Sequence, residues 1–544
     1  MSGAQQRDGS SPVPKEVTTM SGIPLKPVYT WDDLRGLSFP EILGNPGAPP
    51  YTRGVYPLMY REKKWTIRQF SGFTSPEETN KRLKYEYHAG QTGLSIAFDA
   101  VTENGLNSDD PRAQADVGAG GVPTNSLEDM EAMFTGLPIE RLNTGIIGNP
   151  PASLPLSAMY FAMARKWGIP WKSLGGTTQN DILLFTVCNT PIDQIPPRQL
   201  IRLSVDLVEW CAINLPRWNP VSIASYNYRE NGINAYQELA FMLANAIAYL
   251  DEGLRRNRLT ADQLARVMSF HLAAHNDFFE EIAKFRAARR MWYRLTKEKY
   301  RVRDPRAQML RFHVQTSGST HTYQQPLNNV VRIAYQVLAA ALGGAQSIHA
   351  NSFDEAICLP TEQSVLLSIR TQQIAQLETN VVNVVDPLGG SFYLEWLTNE
   401  LEERAWEYLK KIEEEGGLVA AIESGWVHRE WRTAMEDYAR KVATGEYPVV
   451  GVNCFQMDEE PYNYTVFRPD PNAGKKLAER LEKLRKTRNR HRVRTSLARL
   501  REVSKTSENV MPAVIEAAES LVTLGEIVDV WRDLYGIWNP PVAG

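Results

Sequence analysis

Eight short β-prone segments alternate with longer helical segments between residues 65 and 350, and this alternation constrains the fold more than any other feature. The eight segments cover residues 65–70, 94–98, 143–147, 173–178, 221–226, 267–271, 310–314 and 347–350. Residues 235–250 and 277–293 have apolar side chains at helical spacing. The alternation predicts an α/β protein with a parallel sheet, and eight units favour a (β/α)8 TIM barrel over an open sheet. No GxGxxG follows the first segment, which disfavours a dinucleotide-binding fold.

The composition and periodicity of the chain change twice and divide it into three parts. Residues 1–51 are rich in Gly, Pro and Ser without a sustained period, and we interpret them as an N-terminal arm. Residues 52–390 contain the alternating segments and are assigned to the barrel. Residues 391–544 are expected to be mostly helical, with one β-prone run at 448–452.

Composition disfavours several classes of protein. With 43% hydrophobic and 23% charged residues, and no run of about 18 apolar residues, the chain is expected to be soluble and not a membrane protein. A net charge of −3 disfavours a nucleic-acid binder. Four scattered cysteines without a CxxC pair, and no apolar export segment, favour a cytoplasmic location.

One segment departs from this balance of charge. Residues 475–505 contain 13 Lys or Arg against three Glu, and their leucines recur at helical spacing. This pattern predicts an amphipathic helical pair with one basic face. Three interpretations remain open: a solvated surface, a docking face for an acidic partner subunit, or a contact with nucleic acid.

Small residues within the β-prone segments suggest a hollow barrel. They are Gly145, Gly175, Gly176, Thr177, Ser222 and Ala224. Barrel interiors are normally filled with Val, Ile and Leu, so small side chains leave room for a slender ligand along the axis. The alternative is that they serve close packing between helices and sheet.

Functional groups of such barrels lie at the C-terminal ends of the strands. The polar, aromatic and ionisable residues there are Phe70, Ser95, Asp99, Asn149, Gln179, Asn227, His271, His313, Gln315 and Asn351. Most are amides or hydroxyls, and no metal pattern, GxSxG or P-loop accompanies them. Such a site positions a ligand but has little acid–base or nucleophilic power, so difficult chemistry there requires a cofactor.

Several long motifs carry a family resemblance. They are RGVY at 53–56, WTIRQFSGF at 65–73, GQTGLSIAFD at 90–99, TQNDIL at 178–183, QTSG at 315–318, HANSFDEA at 349–356 and DPLGGS at 386–391. In this order they resemble the methylmalonyl-CoA mutase family of adenosylcobalamin-dependent carbon-skeleton mutases, from about residue 50 to the C-terminus. The resemblance implies that an acyl-CoA threads the barrel axis and that cobalamin covers the C-terminal mouth from a separate domain.

The cobalamin domain of that family carries Asp-x-His-x-x-Gly, and none of the eight histidines here has this setting. The chain therefore resembles the large, substrate-binding subunit of split mutases of the isobutyryl-CoA and 2-hydroxyisobutyryl-CoA type. That resemblance implies an enzyme, an intramolecular transferase, whose adenosylcobalamin is held mainly by a separate small subunit. A heterotetramer or another hetero-oligomer is expected.

The resemblance also assigns roles to individual residues. Those expected along the acyl-CoA path are Tyr56, Met59, Thr66, Arg68, Ser95, Thr177, Gln179, Asn189, Arg266, Ser269 and Gln315. Phe70, Gln179 and Asn227 are expected at the reacting acyl group. Glu230, Asn351 and Glu355 are expected to hold the cofactor, and no metal ligands are expected in this chain.

Five positions depart from the family pattern and bear on function. The family usually has arginines for CoA at Lys63 and Val267. Methylmalonyl-type enzymes have tyrosine at Phe70 and arginine at about Asn189, so a dicarboxylic substrate is disfavoured.

The last departure is Asn227, where the family has a histidine beside the thioester carbonyl. We expect a mutase for a short or branched monocarboxylic acyl-CoA. A non-catalytic acyl-CoA-binding paralogue and a methylmalonyl-CoA-type mutase remain alternatives.

Overall fold

The computed structural model describes residues 17–112, 116–188, 192–458, 465–468 and 470–541. The strands are β1 (Val17–Thr18), β2 (Pro24–Leu25), β3 (Thr66–Ile67), β4 (Phe70–Ser71), β5 (Gly93–Ala97), β6 (Asn143–Ile147), β7 (Gly175–Thr178), β8 (Trp218–Asn219), β9 (Val221–Ala224), β10 (Met268–Ala274), β11 (Phe312–Thr316) and β12 (Ser347–His349). The helices up to residue 377 are α1 (Phe39–Ile42), α2 (Met59–Glu62), α3 (Pro76–His88), α4 (Ala100–Glu103), α5 (Leu127–Phe134), α6 (Ser153–Lys166), α7 (Pro197–Asn214), α8 (Ser225–Glu230), α9 (Ala235–Arg255), α10 (Ala261–Arg266), α11 (Phe278–Arg294), α12 (Pro305–Gln308), α13 (Asn328–Leu342) and α14 (Glu362–Leu377). The later helices are α15 (Phe392–Glu414), α16 (Leu418–Glu423), α17 (Trp426–Ala443), α18 (Ala473–Thr487), α19 (Arg490–Ser504), α20 (Met511–Glu519) and α21 (Leu524–Tyr535).

Ten of these strands form two five-stranded parallel sheets, in the orders β4-β5-β6-β7-β8 and β3-β12-β11-β10-β9. β3 and β4 are halves of one extended segment, as are β8 and β9, so the two sheets share these segments. Ser222 N donates to Gln179 O (2.9 Å) at one junction, and Phe70 N donates to His349 Nδ1 (3.0 Å) at the other. The predicted (β/α)8 barrel is confirmed, and each of the eight segments contains a strand within a few residues of its expected bounds.

Two of the eight segments are interrupted for local reasons. Pro220 separates β8 from β9, because proline has no N–H to donate to a ladder. Between β3 and β4, the side chain of Gln69 donates to Ala350 O (2.8 Å) and accepts from Ala350 N (3.1 Å). A side chain thus replaces the backbone ladder at this point.

The helices of the barrel cover its outer surface. α9 begins with a capping box, in which Asn234 accepts from Gln237 N (3.0 Å) and Gln237 Oε1 accepts from Asn234 N (3.0 Å). It extends five residues beyond the predicted end, whereas α11 matches its prediction to within one residue. Of the described part of the chain, no helix has the length and apolarity needed to cross a membrane.

The segment between residues 17 and 51 lies along the barrel helices. β1 and β2 form a small antiparallel hairpin. Its turn is held by the start of α11, because Met20 N donates to Asp277 (3.0 Å) and Ser21 N donates to Glu280 (3.1 Å).

Past residue 390 the chain is helical wherever the structure describes it, apart from loops and isolated bridges. α15 packs on α9 and α11 and is joined to α11 by buried ion pairs, such as Arg286 with Glu395 (2.5 Å). The β-prone run at 448–452 was wrongly expected to be extended. Gly451 has a positive φ of 87°, and Val452 N donates to Val449 O (3.0 Å), so this run is a turn with a single bridge to Cys454.

The helical pair expected in the basic segment is present as α18 and α19. Several of its basic side chains bind carboxylates of the same chain. Arg480 pairs with Glu77 (2.7 Å), Arg485 with Asp109, and Arg488 with Glu526 (2.5 Å). This part of the basic face therefore fixes α18 to the protein itself.

Candidate active site

A cavity of about 590 Å³ runs along the barrel axis. Strand side chains inside the ring remain partly exposed, which a filled barrel core would not allow. These side chains are Phe70, Ile147, Thr177, Ser269 and His313. Of the small residues, Thr177 and Ser222 line the cavity, whereas a side chain on Gly176 would meet the Trp218 ring at 2.2 Å. The hollow-barrel interpretation therefore holds for part of the set and the packing interpretation for Gly176.

One end of the cavity is cationic. The basic residues that line it are Lys63, Lys64, Arg217, Arg266, Arg306 and Arg311. Arg217, Arg266 and Arg311 come one or two residues before β8, β10 and β11, at the N-terminal end of the barrel. A cluster of cations of this kind suits a polyanion such as the phosphates of coenzyme A.

Arg217, Arg306 and Arg311 were missed by the sequence reasoning. The available signal was a basic residue directly before a strand, which holds for Arg217 and Arg311. These residues supply positive charge near the positions where Lys63 and Val267 depart from the family pattern.

Arg68 lies further along the cavity and is buried. Its Nη2 donates to the side-chain oxygen of Asn143, and its Nε has no partner. Burial lowers the pKa of Arg68 to about 10, so the guanidinium stays charged at neutral pH. Gly93 makes room for it, because a Cβ there would lie 3.0 Å from Arg68 Nε.

Gln179 follows β7 and presents a hydrogen-bond donor to the cavity. Asp181 N donates to Asn149 Oδ1 (3.1 Å), which identifies that atom as the oxygen. The Asn149 amide nitrogen then donates to Gln179 Oε1 (3.3 Å). Since Gln179 lines the cavity and its oxygen is engaged, its NH₂ group is the donor left for a ligand.

The end of the cavity opposite the cations is aromatic. The Phe70 ring lies 5.7 Å from the rings of both His271 and His313, and 4.7 Å from His349, measured between centroids. Burial lowers the pKa of His271 and of His349 to about 3. These imidazoles are therefore neutral at physiological pH, and this end of the cavity is uncharged in the described residues that line it.

The loops after β9, β11 and β12 meet at the C-terminal mouth of the barrel. Glu230 accepts hydrogen bonds from Ser319 N (2.6 Å) and Ser319 Oγ (3.1 Å). Asn351 donates to Thr316 O (2.8 Å). Gly318 lies between them, since a Cβ there would approach Asn351 Nδ2 at 3.2 Å and Glu230 Oε2 at 3.3 Å.

Comparison with known proteins shows which family the chain belongs to. The family model described as methylmalonyl-CoA mutase matches residues 18–537. The chain belongs to the methylmalonyl-CoA mutase family. The resemblance drawn from the motifs is thereby confirmed.

Three relatives illustrate the match. The 2-hydroxyisobutanoyl-CoA mutase large subunit of Aquincola tertiaricarbonis is 40% identical over 523 residues, which are 96% of this chain and 92% of that protein. Methylmalonyl-CoA mutase of Cereibacter sphaeroides is 39% identical over 530 residues, 97% of this chain and 74% of its own length. The mitochondrial methylmalonyl-CoA mutase of Homo sapiens is 37% identical over 534 residues, 98% and 70% respectively.

The residues expected in this mutase site do not all lie at the cavity. Those that line the cavity are Tyr56, Met59, Thr66, Arg68, Phe70, Ser95, Thr177, Gln179, Arg266 and Ser269. Gln315 lies behind this wall and donates to Asn351 Oδ1 (2.9 Å). Glu230 lies at the mouth, and Glu355 is an exposed residue shortly after β12. Asn189 lies outside the described residues.

Asn227 is not among the residues that line the cavity. It lies on α8 and is half-buried, and its carbonyl accepts from the Asn231 amide (2.8 Å). Asp181 positions this helix, because its carboxylate accepts from Tyr228 OH (2.6 Å) and Ala224 N (2.6 Å). The role expected for Asn227 stays a prediction.

Proposed function

We propose that this chain is the large, substrate-binding subunit of an adenosylcobalamin-dependent acyl-CoA mutase. Its substrate would be a short or branched monocarboxylic acyl-CoA whose carbon skeleton is rearranged within the molecule. The observation that carries the proposal is the axial cavity, cationic at one end and aromatic at the other, in a chain of this family. A slender thioester with a polyanionic tail has the matching distribution of charge.

The cationic end, the middle at Arg68 and the aromatic end of the cavity suggest how the substrate binds. The phosphates would lie among the cations before β8, β10 and β11, and the pantetheine arm would pass Arg68. A guanidinium that stays charged suits an amide carbonyl of that arm. The acyl group would reach Phe70 and Gln179, where the Gln179 amide donates to the thioester carbonyl.

The uncharged aromatic end supports a monocarboxylic substrate. Phe70 has no donor for a carboxylate, and Cys188, the last residue described before position 189, is uncharged. A carboxylate buried without a charged partner costs several kcal/mol. A methylmalonyl-type substrate is therefore the less favoured alternative.

The C-terminal mouth suits the adenosyl part of the cofactor. Glu230 is a carboxylate that already accepts two hydrogen bonds, and Glu355 is exposed nearby; carboxylates of this kind bind ribose hydroxyls. Gly318 leaves space that a side chain would fill. The chemistry that the cofactor supplies when bound is homolytic: it generates the carbon radical that starts the rearrangement. The residues of this chain bind and orient the thioester and exclude water from it.

A separate small subunit would carry the corrinoid. The support is that a relative covering 96% of this chain is named as a large subunit, a name that implies a second, smaller subunit. A hetero-oligomer such as a heterotetramer follows from this proposal. Size-exclusion chromatography with light scattering of the mixed subunits measures the stoichiometry.

A panel of thioesters tests the proposed activity. The full chain is mixed with the small cobalamin-binding subunit of a related split mutase and adenosylcobalamin, and products are separated by mass-coupled chromatography. We expect rearrangement of a short monocarboxylic acyl-CoA, with a higher kcat/KM than for methylmalonyl-CoA. A higher kcat/KM for methylmalonyl-CoA would favour the dicarboxylic alternative. Stoichiometric CoA-ester binding without turnover of any thioester would favour the acyl-CoA-binding paralogue.

A further inference from the structure

The amide group of Gln179 is oriented by a single neighbour. The barrel fixes its backbone, because Gln179 N donates to Ile146 O (2.9 Å) and Gln179 O accepts from Ser222 N (2.9 Å). Within the described residues, the one hydrogen bond of its side chain is that which Oε1 accepts from Asn149 Nδ2 (3.3 Å). Its NH₂ group has no partner among those residues and is not closed off from the cavity. The direction of this amide therefore depends on Asn149.

The amide group of Asn149 is itself held on both sides. Its Oδ1 accepts from Asp181 N (3.1 Å), so its Nδ2 faces the other way. One N–H of Nδ2 donates to Gln179 and the other to Glu103 Oε2 (3.2 Å). The same carboxyl oxygen accepts from Asn149 N (3.2 Å). Glu103 thus fixes both the backbone and the side chain of the residue that orients Gln179.

Glu103 is the last residue of α4, the short helix after β5, and it is buried. It does not line the cavity, so it acts on a ligand only through other residues. Burying a carboxyl group costs free energy unless donors or cations compensate it, and the described donors to this one are the two N–H groups of Asn149. Burial raises the pKa of Glu103 to about 8, so at pH 7 it is mainly a neutral acid. Oε2 accepts both hydrogen bonds, which leaves Oε1 to carry the proton.

We propose that Glu103 is a positioning residue: through Asn149 it keeps an N–H of Gln179 directed at the thioester carbonyl of a bound acyl-CoA. The proposal rests on the proposed function, in which Gln179 donates to that carbonyl. Without Glu103, one N–H of Asn149 loses its acceptor and its amide is free to turn. Gln179 can then present its own oxygen to the carbonyl oxygen, which is a repulsive contact. Misplacing a group at a reacting centre by about 1 Å can cost about 100-fold in rate.

The stretching frequency of the bound thioester carbonyl tests the proposal without requiring turnover. The probe is isobutyryl-CoA labelled with a heavy carbon isotope at the carbonyl, bound to the full chain and measured by isotope-edited infrared difference spectroscopy. A hydrogen bond weakens the C=O bond, so the wild-type band should lie below that of the free thioester. Gln179→Ala should lose this shift. A wild-type band at the free position, or an unchanged shift in Gln179→Ala, would overturn the proposal.

Substitutions of Glu103 assign the orientation to this residue. Glu103→Met keeps the length of the side chain without the oxygen acceptor, and it should lose most of the shift. Glu103→Gln is the matched control, because an amide has the shape of the neutral acid and its oxygen can accept both N–H groups of Asn149. It should keep the wild-type shift. A full shift in Glu103→Met, or its loss in Glu103→Gln, would contradict the positioning role.

A variant of the connecting residue covers the case in which Glu103→Met does not fold. Asn149→Ala removes the group through which Glu103 acts and should lose the shift in the same way. If Asn149→Ala folds and keeps the full shift, the orientation of Gln179 does not depend on this pair and the proposal is wrong.

Turnover of the complete enzyme gives a second readout, which a purely structural role would not reproduce. With the small subunit and adenosylcobalamin, Glu103→Met should lower kcat about 10-fold with little change in KM. In a Gln179→Ala background the same substitution should lower kcat by less than about twofold, because the group through which it acts is already absent. An equal loss in both backgrounds would mean that Glu103 only supports the fold.

The two readouts also separate this proposal from the proposed function. A shifted carbonyl band that is insensitive to Glu103→Met removes the positioning role and leaves the acyl-CoA site standing. A band that responds to Glu103→Met, in a protein without turnover, supports the positioning role and favours the acyl-CoA-binding paralogue. If neither isobutyryl-CoA nor free coenzyme A binds, the acyl-CoA site is wrong and the positioning role is wrong with it.

Discussion

The imidazole of His271 lies flat against the phenol ring of Tyr226, with 5.2 Å between centroids and 2° between ring planes. Tyr226 belongs to α8, the helix that also carries Asn227. The stack therefore joins the cavity wall to α8, the helix that carries Asn227. A change in either ring is expected to alter the position of Asn227.

Removing the Gln179 donor should slow the reaction. In Gln179→Ala we expect kcat to fall about 100-fold, because a hydrogen bond to the thioester oxygen strengthens as that oxygen gains negative character. The KM for the acyl-CoA should change less. Gln199→Ala on α7, outside the cavity, is the control. Unchanged kcat in Gln179→Ala would remove this residue from the reacting end.

Substitutions of Asn227 distinguish a role in the reaction from a role in supporting α8. Asn227→Ala should lower kcat while CoA-ester affinity stays near the wild-type value, and Asn227→His should restore or raise activity. If Asn227 only supports α8, alanine would instead lower stability by about 1 kcal/mol and leave turnover intact. Steady-state kinetics and melting curves on both variants distinguish the two outcomes.

The cations at the N-terminal end should contribute to binding and not to turnover. Arg311→Ala and Arg217→Ala should each raise KM for the acyl-CoA several-fold, with kcat nearly unchanged, because the phosphates lie far from the reacting carbon. The effect should shrink as salt is added. Lys172→Ala, an exposed lysine outside the cavity, is the matched control. A fall in kcat at constant KM would contradict this assignment.

The histidines of the cavity should make the fold sensitive to acid. Burial lowers the pKa of His271 to about 3, against about 6.5 in an unfolded chain, so between these values the unfolded state binds the extra proton. The free energy of unfolding should then fall by up to about 1.4 kcal/mol per pH unit, for this residue, as pH drops below 6.5.

Denaturant titrations at pH 7, 6 and 5 measure this contribution. His271→Phe should lose less stability over this range than the wild type, by about the slope given above. Parallel pH profiles for the two proteins would show that His271 is not held neutral by the fold.

The barrel could be predicted from the sequence because it depends on pattern. Alternating segments with helical periodicity between them predicted eight strands. Phe70 in β4, Ser95 in β5 and Gln179 directly after β7 were predicted as site residues, and all three line the cavity. The break between β8 and β9 at Pro220 could also have been predicted from the sequence, since proline cannot donate to a ladder.

The polarity of the site could not be predicted in the same way. The donor at Gln179 depends on hydrogen bonds from Asp181 N to Asn149 and from Asn149 to Gln179, which come together only in the folded barrel. Arg311 and Arg217 join one cationic end because their strands start at the same edge of the ring. Spacing along the chain does not reveal that proximity.

The central claim is that this chain rearranges an acyl-CoA only with a corrinoid-carrying partner. The most direct test is mass-coupled detection of the isomeric product from a short acyl-CoA, with the chain alone, with adenosylcobalamin, and with both adenosylcobalamin and the small subunit. We predict product only in the complete mixture. Product formed by the chain with adenosylcobalamin alone, or none in the complete mixture for any thioester, would contradict it.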